Sequence, residues 1–234
     1  LREFIESPER YPLDTPSGKI ELFSEKIDGF QYSDCVGHPK WYEDKEYLGN
    51  ASKYKLHLLS NQPKFKLHSQ LDQGKVADSE KSDGRAIIEV NKRDAKARGL
   101  SDGLLVRVFN DRGSCLAVMK TSENILPGVV NIPTGAWLDP STAGDISCVH
   151  GNPNVLTNDI GTSKLAQGPT AHTCLVEIER FYEKAPKIKA FDPPKMLYFS
   201  VPDNETLYGK DAGKSLRLEY GGFGNLHGIP GNVI

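Results

Sequence analysis

The sequence predicts a mainly β protein whose body is a barrel from about Lys53 to Phe181, and three observations predict it. Short runs of alternating or continuous apolar residues recur between clusters of turn formers. Only one short helix stands among them. The connections are long, polar and rich in glycine and proline, as in closed sheets of many short strands. Residues 1–52 read as a lead-in from a preceding domain, and residues 183–234 as a linker followed by a small β extension of unknown role.

The elements follow in order. "GKIELFSE" (Gly18 to Glu25) alternates, with Ile20 and Leu22 on one face, and is expected to be a strand of the lead-in. "YKLHLLS" from Tyr54 alternates again, and a polar loop then runs to Asp83. "RAIIEV" (Arg85 to Val90) is the next strand. "NKRDAKARGL" is a short helix: Asn91 can cap the free amides, Asp94 sits at the positive end, and Gly99 can take the left-handed position that ends it. "LLVRVFNDRGSCLAVMK" holds two alternating runs around Asn110 to Gly113 and predicts a hairpin. "PGVVNIP" (Pro127 to Pro133) and "CLVEIERF" (Cys174 to Phe181) are two more strands, separated by a long polar segment from Thr134 to Thr173. Loops of that length inside a compact domain are usually functional. After the linker "EKAPKIKAFDPPK", the stretches "MLYFSV" and "KSLRLEY" suggest strands, and "GGFGNLHG" (Gly221 to Gly228) a terminal turn.

Composition removes several function classes. Lys and Arg total 29 against 31 Asp and Glu, a net charge of −2, so no long-range field gathers nucleic acid or an anionic membrane. No apolar run approaches the roughly 20 residues that span a bilayer. Cys35, Cys115, Cys148 and Cys174 are too few and too scattered to form a disulfide framework. The chain opens with neither an initiator Met nor a signal pattern, and is expected to be a fragment.

The familiar chemistries find little. No phosphate-binding glycine motif lies between a strand and a helix. Cys35 with His38, and Cys148 with His150, match no closed zinc spacing, so no metal ligand is assigned. Cys174 has His172 two positions away, which in a strand puts both on one face, consistent with core packing or with activation. Asp102 and Asp111 read as turn residues. No catalytic residue is assigned. What remains are three polar loops, Ser60 to Gln70, Asn131 to Trp137 and Gly151 to Gly168, whose neutral amides suit reading a large polar ligand through many hydrogen bonds.

Five blocks then become recognisable: "TPSGKIELFSE", "LLSNQPKFKLHSQLDQG", "RGLSDGLLVRVFNDRGSCLA", "LPGVVNIPTGAWLDP" and "HGNPNVLTNDIGTSKLAQGPTAHTCLVEIERF". In this order, over residues 10–182, they resemble the C-terminal dinucleotide-binding domain of molybdopterin oxidoreductases. Within that family the likeness is to the dimethyl sulfoxide, trimethylamine N-oxide and biotin sulfoxide reductases. The resemblance implies a double-psi β-barrel that closes over a bis(molybdopterin guanine dinucleotide) cofactor holding molybdenum. It implies a bacterial parent enzyme of anaerobic respiration, in the periplasm or the cytoplasm with a lean to the periplasm. The parent would remove oxygen from a small S-oxide or N-oxide with electrons from an unknown donor. The metal ligand and the substrate-orienting groups would lie in upstream domains, so this chain alone is expected to be inactive.

The resemblance also implies roles. Gln62 and His68 would contact the cofactor, Ser69 and Gln70 would fix neighbouring polar atoms, and Ser60, Asn61, Pro63 and Lys66 belong to the same reading loop. Asn154 and Gln167 match family cofactor contacts, and Trp137 sits where the family lines the approach to the metal. Gln62 replaces a histidine found in some of these reductases and tilts the likeness toward the biotin sulfoxide type. Lys66 stands where arginine is frequent, turning a two-pronged contact into a single one. Three readings stay open: this cofactor domain, including relatives with hydroxyl-transfer or hydration chemistry; a self-processing decarboxylase cut at Gly113–Ser114; and a non-catalytic module presenting Tyr198, Tyr208, Tyr220 and Phe223 to a protein or glycan.

Overall fold

A computed structural model describes residues 1–142, 147–193, 195–198 and 216–219. Seven strands form the main sheet: β1 (Leu56–Leu59), β2 (Ile87–Asn91), β3 (Leu105–Phe109), β4 (Ser114–Ser122), β5 (Val129–Asn131), β6 (Ser147–Cys148) and β7 (Leu175–Arg180). Their order is β2-β5-β1-β7-β3-β4-β6, and a further β2–β4 pairing closes the first six into a barrel. Pairing is mixed. β1–β5 and β2–β4 run parallel while β1–β7, β2–β5, β3–β4 and β3–β7 run antiparallel. This is the mainly β, double-psi barrel that the sequence and the resemblance lead one to expect.

Alternation explains the barrel. In β2, Ile88 and Val90 turn inward while Ile87 and Glu89 take the outer face; in β3, Val106 and Val108 turn inward around Arg107. These residues join Leu56, Leu58, Met119, Val130, Ile132, Val176 and Ile178 in one core. Full burial of each large aliphatic side chain contributes roughly 1.5–3 kcal/mol. Helix α1 is Lys92–Ala97, capped by Asn91, whose side chain accepts from the Arg93 amide. Gly99 follows at φ +64°, the left-handed turn expected there. Asp94 also accepts from the Gly128 amide at 2.6 Å, tying the helix to the entry of β5. The β3–β4 hairpin turns at Asn110 to Gly113, where the Asn110 amide donates to the Gly113 carbonyl and the Asn110 side chain accepts from Arg112.

The lead-in departs from expectation. Residues 18–23 are no strand, and the only regular element near "GKIELFSE" is a short helical turn, Glu25–Asp28. Ile20 and Leu22 are exposed, and the backbone is taken up in turns, with Leu13 bonded to Gly18 and Ser24 to Gly37. Alternation makes an apolar face, but a strand also needs a ladder partner, and among the described residues this stretch has none. Cys174 likewise precedes β7 instead of lying within it. Its thiol is buried, donates to the Leu156 carbonyl and is pushed up by burial to about 11. That is the environment of an inert core cysteine. Beyond the barrel, β8 (Lys195–Tyr198) and β9 (Leu216–Glu219) pair antiparallel. Tyr208, Tyr220, Phe223 and the "GGFGNLHG" turn lie outside the described residues, as do the contacts of Tyr198.

Candidate functional site

The loop that leaves β1 carries most of the expected cofactor residues, and hydrogen bonds lock it against the loop that leaves β5. Thr134 donates to the Asn61 carbonyl at 3.0 Å, and the Trp137 indole to the Ser69 carbonyl at 2.8 Å. Gly135, at φ +97°, permits the closest approach: a Cβ there would stand 1.8 Å from the His68 carbonyl oxygen. No other residue fits that position. Within the first loop, Gln62 donates to the Lys66 carbonyl at 2.6 Å and the Gln70 amide to the Leu67 carbonyl at 2.9 Å. Ser60 is buried, and its amide reaches His172 Nδ1 at 3.4 Å, bringing in the segment before β7.

At the centre of this rim lies Asp72, fully buried, with its carboxylate on the ammonium groups of Lys66 and Lys81 and accepting the Trp137 amide at 3.2 Å. Burial by itself pushes the Asp72 carboxyl up, but the two lysines and the amide carry it below the ordinary carboxylate value. Lys66 is thus committed to Asp72, with its side chain almost fully covered. Trp137 is partly exposed, whereas Asn61, Gln62, His68, Ser69 and Gln70 are exposed along the loop and Pro63 is half-buried.

Asn154 and Gln167 lie in the third polar loop. The Asn154 amide is capped by the Asn152 side chain, and Gln167 Nε2 donates to the Ser163 carbonyl at 2.8 Å while its side chain packs on Gly161. Their described bonds stay within their own loop. Ser60 to Gln70 and Trp137 are therefore gathered into one unit, and Asn154 and Gln167 are not bonded to it.

Between the first loop and the outer face of the barrel lies a cleft of about 310 Å³. Asn61, Pro63, Phe65 and Lys66 line its loop side. On the barrel side Glu89 pairs in register with Lys120 of β4 and Asn131 of β5, so the three form a row across β4, β2 and β5. His150 also borders the cleft and is fully buried, with neither ring nitrogen in a full hydrogen bond, although the Trp137 backbone stands close enough to favour the charged ring. Asn131 Oδ1 is another buried acceptor without a partner. A buried polar group left unpaired costs about 1–3 kcal/mol, so a cleft that keeps such groups is suited to a ligand that pairs them. Burial pushes His150 below the ordinary histidine value, against the raising influences of the Asp72 charge and the Trp137 backbone, and favours the neutral ring. A wider groove of about 810 Å³ along β7 lacks this character: Arg98 is paired with Glu177 and Arg107 with Glu179.

Asp72, Arg85, Asp139, His150 and Phe191 carry the site without having been singled out by the sequence pattern as binding residues. A strap, residues 186–191, holds them from behind. Arg85 donates to the Pro186 carbonyl at 2.5 Å, and Asp139 accepts the Lys189 and Ala190 amides at 2.6 and 2.9 Å. Phe191 packs on Trp137 and His150, each at 5.5 Å between ring centroids, and under the Lys81 ammonium at 4.6 Å. No local signal marks them, because nothing in the sequence pattern says that these positions meet.

Comparison with known proteins fits this geometry. Residues 56–175 match the model of the Molydopterin dinucleotide binding domain. A trimethylamine-N-oxide reductase of Haemophilus influenzae is 43% identical over 199 residues, covering 83% of this chain and 24% of its own length. A biotin sulfoxide reductase of Cereibacter sphaeroides is 46% identical over 179 residues, 76% of this chain and 24% of its own. This chain therefore spans about a quarter of the curated relatives it matches. Among solved structures, acetylene hydratase from Pelobacter acetylenicus superposes with a TM-score of 0.61 at 21% identity, over 75% of this chain and 25% of that one, a likeness of fold alone. The match runs from the start of β1 to the start of β7 and takes in the loops between, and this chain belongs to the Molydopterin dinucleotide binding domain family.

Proposed function

We propose that this chain is the C-terminal cofactor-binding region of a bis(molybdopterin guanine dinucleotide) molybdoenzyme whose full-length form reduces an S-oxide or N-oxide. The observation that carries the reading is identity of 43–46% to reductases of such oxides over more than three quarters of the chain. The hydratase likeness is too distant to favour hydration over reduction. The donor set fits the cofactor: exposed amides and hydroxyls on the first loop, and a cleft with unpaired buried nitrogen and oxygen atoms.

When bound, the cofactor supplies two-electron oxygen-atom transfer, so that oxide, two protons and two electrons give the reduced sulfide or amine and water. The residues of this chain bind and orient. Gln62, His68, Ser69 and Gln70 present donors and acceptors along the loop, Asn154 and Gln167 present amides from the third loop, and Trp137 covers the rim between them. Asp72 holds Lys66 and Trp137 in place, which keeps the donors at fixed geometry. Upstream domains of the same enzyme supply the metal ligand and the oxide site, and this chain alone has no reductase activity. The relatives are bacterial proteins. No helix among the described residues is long and apolar enough to cross a membrane. A periplasmic location is part of the proposal.

The test is metal loading. Asn154→Ala and Gln167→Ala in the full-length enzyme should each lower molybdenum per polypeptide several-fold, measured by elemental analysis on folded protein. Unchanged loading would remove these two residues from the cofactor contacts.

A further inference from the structure

We propose that the strap, closed by Asp192, is a latch that leaves the barrel as one unit, and that a ligand bound in the cleft holds it shut. The opening stands on the strap alone, whereas its coupling to the ligand rests on the cofactor reading above.

The first support is how the strap is built. The Asp192 amide donates to the Lys189 carbonyl at 2.9 Å, and the Lys187 ammonium reaches the Asp192 carboxylate at 2.7 Å, so the segment closes on itself as a turn. These bonds lie within the strap and survive its departure from the barrel. The second is how it is held. Tyr182 to Ala185, which lead into it, are exposed, and no residue from Pro186 to Asp192 is fully buried. Its polar ties run to two buried side chains, Arg85 on the Pro186 carbonyl and Asp139 on the Lys189 and Ala190 amides. The apolar seat is small: Ile188 rests on Gly84, where a Cβ would stand 2.9 Å from its Cδ1, and Phe191 packs on two rings. A segment with so little buried apolar surface opens locally, at a free energy well below that of global unfolding. The third is what it touches. Phe191 meets His150 and Lys81, and both also line the cleft. A ligand that orders His150 and Lys81 therefore favours the closed latch, and the closed latch favours that ligand by the same factor.

Timed trypsin digestion of the full-length enzyme, with peptide masses read at two bonds, tests this. Lys184–Ala185 lies in the exposed approach and is cut without opening. Lys189–Ala190 is held on Asp139 through the amides of both residues and is cut only from the open latch. Relative to the first bond, the second should be cut about five-fold more slowly in cofactor-loaded than in cofactor-free protein. Asp139→Ala should raise that relative rate about ten-fold in cofactor-free protein. Ile188→Ala, which leaves the buried charges in place, should raise it by a smaller factor at an unchanged melting temperature. Relative rates that neither variant changes overturn the latch. So does hydrogen exchange of the Lys189 and Ala190 amides as slow as that of the β3 core, since cleavage would then report global unfolding. If the variants open the latch but loading does not slow cleavage, the coupling falls while metal content still supports the cofactor reading. If the wild-type protein carries neither molybdenum nor guanine nucleotide, the cofactor reading and the coupling fall together, and the two variants still decide the opening.

Discussion

Around Glu46 every oxygen of the carboxylate meets a partner: two Arg112 nitrogens, the Asn158 amide and the Leu175 backbone N–H. Burial alone would raise the Glu46 carboxyl, and these partners bring it below its ordinary value. Around Asp72 the ions are as fully paired, yet the adjoining cleft leaves Asn131 Oδ1 without a partner and His150 without a full hydrogen bond. The first cluster sews the lead-in to the barrel and is complete in itself. The second fixes two loops over a cavity whose polar lining is incomplete. A satisfied network rigidifies, whereas a rigid network beside unsatisfied groups is prepared to receive something.

Four changes would break or sharpen this contrast. Asp72→Ala strands two buried ammonium groups and should cost about 3–5 kcal/mol by chemical denaturation, with loss of cofactor from the full-length protein. Glu46→Ala should cost about 1–3 kcal/mol, because its pairs are only partly buried, while molybdenum content per folded polypeptide stays the same. Equal cofactor loss from both variants would erase the distinction. Phe191→Ala removes ring contacts to Trp137 and His150, each worth about 0.5–1.5 kcal/mol, and loosens the strap. With Trp41→Phe as background, Trp137 emission should shift to the red; an unmoved spectrum would mean that the strap does not set the indole.

The smallest expected effect is in pH. His150 is held below its ordinary value of 6.5, so in the window beneath 6.5 the unfolded chain takes a proton that the folded chain refuses. Stability should therefore fall as pH drops from 7 toward 5, and His150→Gln should flatten that fall. Asp72, also lowered, acts further down: its contribution is present above the ordinary carboxylate value and lost as pH falls through the lowered one. Denaturation midpoints across this range check both signs.

The barrel was legible because each strand writes its own burial pattern: Leu56 and Leu58, Ile88 and Val90, Val106 and Val108 alternate with partly buried or exposed neighbours. The same rule misled at Ile20 and Leu22, where a face existed without a ladder partner. The polar stretch after β1 was visible as a loop crowded with hydrogen-bonding side chains. Asp72 was not, since it acts through Trp137, 65 positions away, and nothing local distinguishes it from a turn aspartate. His150 stood out only as half of a loose Cys-His pair, and its partner in space, Phe191, lies in a segment that reads as linker. Cross-strand neighbours such as Glu89 and Asn131 become a pair only once the barrel closes and sets their register.

The central claim, that this rim holds a molybdopterin guanine dinucleotide, is tested most directly by the content of the purified full-length protein. Acid release and elemental analysis should return one molybdenum and two guanine nucleotides per polypeptide. A folded, intact protein that yields molybdenum without guanine nucleotide, or neither, would contradict it.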